Sequence, residues 1–358
     1  VSINSVAEVT SRSLGAKELA VRNHAWIIEK PSRGRYTPDC LRWEERDVPS
    51  LADGEVLVRT ELISIDPTTR NWLLLEPEKM MIPLQVGDVM IGVAVGHVVE
   101  SRADGFETGD LVSGIWGWEE YSVASPMLIE KHVDGDAPLE AYLSVFSHVG
   151  RAAIMGLSAV GDLRPSDTVV VSGAAGATGS LAVQIAKAAG CRVVGIAGGA
   201  EKCAYVAAIG ADATIDYKSE DVLAALRAQC PTGVDLFFDN VGGAILDAVL
   251  VSMAVGCRIV VCGAMSQYDL ERPEDQYGVK NLQMLLFRSA RMEGFVVPQF
   301  AARQAEFDAR LHELWNEGAI TQRSHVIDGL EHAPETVNLN LQGRNEGKLM
   351  VRVAGAAA

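Results

Sequence analysis

The chain lacks the features that mark membrane insertion, nucleic-acid binding or a disulfide-stapled state. No segment of its 358 residues approaches the roughly 18 to 20 uninterrupted apolar residues of a membrane span, and its start carries no basic stretch followed by an apolar core. Lysine and arginine form no block: 31 basic residues stand against 47 acidic ones, a balance that repels phosphate backbones and anionic lipid. The expectation is a cytoplasmic protein with no nucleic acid and no membrane among its partners. The six cysteines, Cys40, Cys191, Cys203, Cys230, Cys257 and Cys262, include no CxxC pair. They read as reduced, buried small hydrophobes rather than disulfides or metal ligands. There is no internal repeat, and only the terminal Ala/Gly tail reads as disordered.

What is present is 48% apolar residues on a chain longer than one typical domain, which implies two globular units. Residues up to about Ala20 show no sustained period and read as an extension. Ala25 to Glu29, Glu55 to Ile65, Gly92 to Val99 and Asp110 to Ile115 read as strands between Pro, Gly and Asp punctuation, so the front third is β-rich. From Thr168 the texture changes. Strands at Thr168 to Ser172, Arg192 to Ala197, Ala213 to Ile215, Val234 to Asp239, Arg258 to Cys262 and Met292 to Val296 alternate with helical stretches, as in an α/β fold with a doubly wound parallel sheet.

The first strand of that alternation runs into Gly173, Ala174, Gly176 and Gly179 and then into a helix. A pyrophosphate needs this arrangement, because missing Cβ atoms let the backbone approach and the helix N-terminus faces the anion. A glycine-rich packing joint is the plain alternative. After the second strand, where an NAD site would place an acid, stand Gly198, Gly199 and Ala200, followed by Glu201 and Lys202. Lys202 suits a 2′-phosphate and so favours NADP, unless it is a solvated surface lysine. Asn240 and the Cys262 to Tyr268 loop stand at strand carboxyl ends, where open α/β sheets bind ligands. A helix cap for Asn240 and a half-buried loop tyrosine for Tyr268 are the structural alternatives.

Ten ordered segments carry a family resemblance: ISIDPTTRNW, GDVMIGVAVGHVVES, GFETGDLVSG, SGAAGATGSLAVQIAK, GIAGGAEK, IDYK, FFDNVGG, CGAMSQY, RMEGFVV and GRNEGKLMV. Together they resemble the zinc-free branch of the medium-chain dehydrogenase/reductase superfamily, nearest the NADPH-dependent alkenal/one double-bond reductases. That group includes leukotriene B4 12-hydroxydehydrogenase/prostaglandin reductase and curcumin reductase. The resemblance implies a Rossmann sheet plus a GroES-like β-rich catalytic domain, and commonly a homodimer. It divides the chain into an extension (1–20), the first part of the catalytic domain (21–142), the NADP-binding domain (143–310) and a C-terminal return to the catalytic domain (311–358).

Carried over by position, the resemblance puts the NADPH pyrophosphate on Gly176, Ala177, Thr178 and Gly179, and the 2′-phosphate near Gly199, Lys202 and Tyr217. Asn240, Cys262, Gly263, Ala264, Ser266, Tyr268, Phe295, Val297 and Asn345 surround the rest of the dinucleotide. The activity implied is hydride transfer to the β-carbon of an α,β-unsaturated ketone or aldehyde, with Tyr268 stabilising the enolate. Reduction of quinones or carbonyls, and a non-catalytic NADPH-binding module, are the alternatives. Zinc-dependent relatives carry Gly-His-Glu where this chain has Gly87-Asp88-Val89, and no triad of metal ligands is expected; His97 and His148 read as packing or surface residues. Two motifs depart from the family near the expected cleft: Thr68 replaces a tyrosine in Asp66-Pro67-Thr68-Thr69-Arg70, and His148 to Ile154 replaces Met-Pro-Gly-Leu-Thr-Ala-Tyr.

Overall fold

A computed structural model describes residues 22–32, 35–73, 84–133 and 137–353. The expected N-terminal extension and the Ala/Gly tail at 354–358 lie outside the described residues. The front of the chain opens with a hairpin, β1 (Arg22–Ile28) antiparallel to β2 (Leu41–Asp47). β2 is invisible to a hydropathy reading because its sequence, LRWEERD, is mostly charged. Trp43 at its centre nevertheless stacks on His24 at 5.2 Å and edges against Trp26 at 5.1 Å, so ring contacts across the hairpin replace a buried face.

β3 (Val56–Ser64), β4 (Ile91–Ser101), β5 (Leu111–Gly117), β6 (Tyr121–Ala124) and β7 (Ile129–His132) then build an antiparallel sheet. Helix α1 (His148–Met155), capped by the Ser147 hydroxyl, leads out of it into a second sheet. There the strands are β8 (Thr168–Ser172), β9 (Arg192–Ala197), β10 (Ala213–Asp216), β11 (Val234–Asp239), β12 (Met253–Val261) and β13 (Arg291–Gly294). α2 (Ala177–Ala188), α3 (Ala200–Ala208), α4 (Val222–Gln229) and α5 (Gly243–Ser252) are the crossovers, and short α6 (Met284–Phe287) precedes β13. All pairings in this sheet are parallel, and its order is β10-β9-β8-β11-β12-β13. β8 is buried at every position, which is why its run TVVVS does not alternate.

The expected doubly wound sheet is therefore present, with β12 starting earlier than the periodicity suggested, at Met253, and β13 ending at Gly294. After α7 (Gln304–Asn316), the chain returns to the front sheet: β14 (Ser324–Asp328) pairs parallel with β15 (Lys348–Arg352), and β15 pairs antiparallel with β3. α8 (Ala333–Leu341) fills the connection between those last strands. The two sheets share one apolar cluster in which Leu62, Val95 and Met350 of the front sheet join Val149 and Ala153 of α1 and Val169 of β8. Arg151 adds a polar tie, its guanidinium hydrogen-bonding both carboxylate oxygens of Glu130 on β7 and both of Asp308 on α7. Among the described residues no helix is long and apolar enough to cross a membrane. Five cysteines are buried and Cys262 is half-buried.

Candidate dinucleotide cleft

Strand order in the parallel sheet runs outward in both directions from β8 and β11, so the loops leaving their carboxyl ends diverge and open a crevice. The cleft at that point has a volume of about 450 Å³. One wall is the glycine loop. Gly173 takes φ +59°, and a Cβ on Gly179 would stand 2.2 Å from the Gly173 carbonyl oxygen, so helix α2 packs against its own loop only because that side chain is missing. Gly176 caps α2 without a side-chain hydrogen bond. The first helical turn, Ala177 to Gly179, thus presents backbone N–H groups with no side-chain partner in the cleft wall, a cradle suited to an anion.

The facing loop is fixed to the first by buried hydrogen bonds. The Ser172 hydroxyl donates to Asp239 at 2.7 Å and accepts from the Asn240 backbone N–H at 2.8 Å; the Asn240 amide donates to the Ser172 carbonyl at 2.7 Å. The same Asp239 oxygen accepts the N–H groups of Val241 and Gly242. Burial pushes the Asp239 carboxyl above its ordinary range in spite of these bonds.

At the far end, Lys202 and Tyr217 line the cleft. The Lys202 ammonium donates to the Gly343 carbonyl at 2.7 Å, reaching across to the returning C-terminal segment. Burial lowers its pKa, and the neighbouring cations Lys218 and Arg323 act in the same direction. The Tyr217 ring covers Gly198, where a Cβ would meet the ring at 2.7 Å. The Gly199 N–H is taken by Asp216 at 2.7 Å, so the acid at this strand tip comes from β10 and serves the loop.

Of the expected dinucleotide residues, Gly176, Ala177, Thr178, Gly179, Lys202, Tyr217, Asn240, Ser266 and Asn345 line the cleft together. Gly199, Cys262, Gly263, Ala264, Tyr268, Phe295 and Val297 are not among the residues that line it. The Phe295 ring lies against Gly156 and Phe300, and burial pushes the Cys262 thiol up to about 12. The Tyr268 hydroxyl turns back on its own loop, accepting the Ala264 N–H at 3.0 Å.

The wall that sequence reading missed comes from the front sheet. Ile65, Asp66 and Pro67 follow β3, Asn340 to Gly343 span the end of α8, and Gly347 to Leu349 span the start of β15. Asp66 is the centre of this wall. It accepts from the Lys348 ammonium and the Ser64 hydroxyl, with His148 Nε2 at 3.5 Å. Burial alone would raise the Asp66 carboxyl, but Lys348 and His148 outweigh it and hold the group well below the usual carboxylate range. Lys348 is 2% exposed, so this is a buried ion pair in the cleft wall. Its members are 282 positions apart in sequence, which hides it from any local pattern. Of the two departures from the family motifs, Thr68 is exposed; in the second stretch His148 reaches Asp66 in this wall, Ile154 is buried in the core, and Arg151 makes the inter-sheet tie. His97 pairs with Glu61 at 2.8 Å. Among the described residues, no group of three or more His, Cys, Asp or Glu is placed to hold a metal ion.

Two family models match the chain: an N-terminal domain of oxidoreductase over residues 24–131 and a zinc-binding dehydrogenase domain over 177–316. The NADPH-dependent curcumin reductase of Escherichia coli (strain K12) is 37% identical, with 93% of this chain and 98% of that protein covered. The NADP(+)-dependent 2-alkenal reductase of Nicotiana tabacum is 38% identical, covering 84% and 88%. Among solved structures, CurA in complex with NADPH from Vibrio vulnificus superimposes with a TM-score of 0.86 at 33% identity, covering 93% of this chain and 99% of that one.

The Asp66–Lys348 pair generates a pH-dependent prediction. Asp66 is depressed in the folded state, so its contribution is fully present above the unfolded carboxylate value of about 3.9 and fades as pH falls toward its own lower value. Asp66→Asn strands the buried Lys348 cation and is expected to cost about 3 kcal/mol at neutral pH. Denaturant titrations of both proteins should show the gap narrowing in acid; a gap that stays constant into strong acid would show that the charge is not its source.

Proposed function

The chain belongs to the medium-chain dehydrogenase/reductase superfamily, in its zinc-free branch of NADPH-dependent reductases, and on that premise we propose that it reduces the carbon–carbon double bond of α,β-unsaturated ketones or aldehydes with NADPH. The observation that carries the reading is the cleft at the β8/β11 crevice, with a side-chain-free cradle at one end and a lysine with a tyrosine at the other. These residues fit the dinucleotide: Gly176 to Gly179 receive the pyrophosphate, Lys202 and Tyr217 the 2′-phosphate, and Asn240, Ser266 and Asn345 the remainder. When bound, NADPH supplies a hydride to the β-carbon of the substrate.

The protein's own task is to hold the charge that then develops on the carbonyl oxygen. Tyr268 is assigned this role. Burial raises its pKa above that of a free phenol, so the proton stays on oxygen at neutral pH. Because the phenol oxygen accepts the Ala264 N–H, its own proton remains available to donate to the forming enolate. The α-carbon then takes a proton from solvent, which completes a saturated carbonyl product.

The functional unit is a homodimer. β13 is one edge of the parallel sheet among the described residues, and Val255 of the neighbouring β12 with Leu286 and Phe287 of α6 are 73%, 77% and 70% exposed. Exposed apolar side chains near a sheet edge invite pairing with a second copy.

Four measurements test the reading. Incubation with NADPH and an enone should yield the saturated ketone by mass and NMR; an alcohol product would replace double-bond reduction by carbonyl reduction. Tyr268→Phe should lower turnover about 100-fold with NADPH affinity retained, and full turnover would remove Tyr268 from the mechanism. Lys202→Ala should weaken NADPH at least about tenfold more than NADH, and equal losses would refute the phosphate assignment. Light scattering should give twice the chain mass, falling to one chain mass in Leu286→Asp/Phe287→Asp; a wild-type monomer refutes the dimer.

A further inference from the structure

The loop between β12 and β13 carries Tyr268, and it is anchored from two directions. Its far half is tied to its own unit. Asp247 on α5, 5% exposed, accepts the Tyr277 hydroxyl at 2.8 Å and the backbone N–H groups of Lys280 and Asn281 at 3.0 Å. The Tyr277 N–H in turn donates to the Gln267 side chain at 2.8 Å.

The near half is tied to the opposite unit through one residue. Asp269, immediately after Tyr268, accepts the backbone N–H of Tyr36 at 2.9 Å. Its carboxylate stands 3.3 Å from Arg35 Nε and 4.0 Å from Arg70 Nε, and its side chain is only 17% exposed. Tyr36 is a rigid post: it is 1% exposed in the core of the front sheet, and its hydroxyl donates to the Pro334 carbonyl at 3.0 Å. Arg70 is 12% exposed and lies in the turn that follows the cleft residues Asp66 and Pro67. Asp269 therefore makes a fixed contact between the Tyr268 loop and the front sheet, in a segment with no regular structure of its own.

We infer that Asp269 is a positioning residue for the reaction: by holding to Tyr36, Arg35 and Arg70 of the front unit it sets the place of the Tyr268 hydroxyl relative to the substrate carbonyl. This rests on the enolate role proposed for Tyr268. A hydrogen-bond donor misplaced by about 1 Å loses about 100-fold in rate, so the anchor is read in turnover rather than in cofactor binding.

The test is a cycle on the full chain with NADPH and an enone substrate, comparing Asp269→Ala, Tyr268→Phe and the double variant. Asp269→Ala is expected to lower kcat about 10- to 100-fold with the NADPH Kd within about twofold, and the double variant to be no slower than Tyr268→Phe alone. Asp269→Asn, which keeps an acceptor for the Tyr36 N–H, should recover turnover to within about threefold of wild type. Arg35→Ala removes only the exposed arm of the anchor and leaves the buried contacts of Asp269 in place; it should lower kcat about threefold where Tyr268 is present and leave the Tyr268→Phe rate unchanged. A slow Tyr268→Phe beside wild-type rates in Asp269→Ala and Arg35→Ala overturns the inference alone, as does a double variant slowed by the product of both factors. A Tyr268→Phe enzyme at full speed overturns the enolate role itself.

Discussion

The buried junction at the carboxyl ends of β8 and β11 is the constraint on which the cleft depends. These two strands are neighbours in space but are separated in the chain by two complete strand–helix units, so the loops that leave them turn to opposite sides. Ser172 and Asp239, the last residues of the two strands, share a hydrogen bond, and Asn240 adds two more to Ser172. A carboxyl group at this depth is costly without partners, and Asp239 meets the cost by organising both backbone N–H groups at the start of its own loop. The mouth of the crevice is thus held open by a polar knot beneath it, leaving the glycine loop free to present its backbone.

The return of the chain supplies the opposite wall. Because β15 pairs with β3, Lys348 is delivered to Asp66, Gly347 bridges Gly176 of the glycine loop, and Gly343 offers its carbonyl to Lys202. Each contact joins the returning segment to a different end or side of the cleft. Lysine has three donors, so the bond to Gly343 does not exhaust Lys202; the same ammonium can meet a phosphate while still touching the far wall.

Sequence reading recovered what backbone constraint dictates. The parallel sheet was legible because β8 and its neighbours are mostly buried, mostly apolar runs set off by glycines. Gly173 and Gly179 were legible because the first takes a left-handed φ that glycine favours and the second leaves no room for a Cβ beside the Gly173 carbonyl. β2 was not, since its stability comes from rings of β1 and not from a buried face of its own. Nor was the Asp66–Lys348 wall, which exists only after β15 has folded onto β3. Family resemblance added Tyr217 and Asn345, whose places in the cleft no local pattern betrays.

The same distinction explains why the two sides of the cleft differ in how firmly their chemistry is set. A dinucleotide cradle is made from what side chains leave out, and a single added Cβ breaks it. The opposite side is made from what side chains put in: Ile65, Pro67, Val241, Ile245, Met265 and Leu349 are apolar surfaces that exchange for one another at small cost. Of the motif departures in α1, Ile154 is buried in the core and Arg151 reaches Glu130 and Asp308, while His148 meets that wall at Asp66. We propose that substrate selectivity in this chain rests on the charge-compensated wall around Asp66 and on the loop that carries Tyr268, two elements with fixed polar groups.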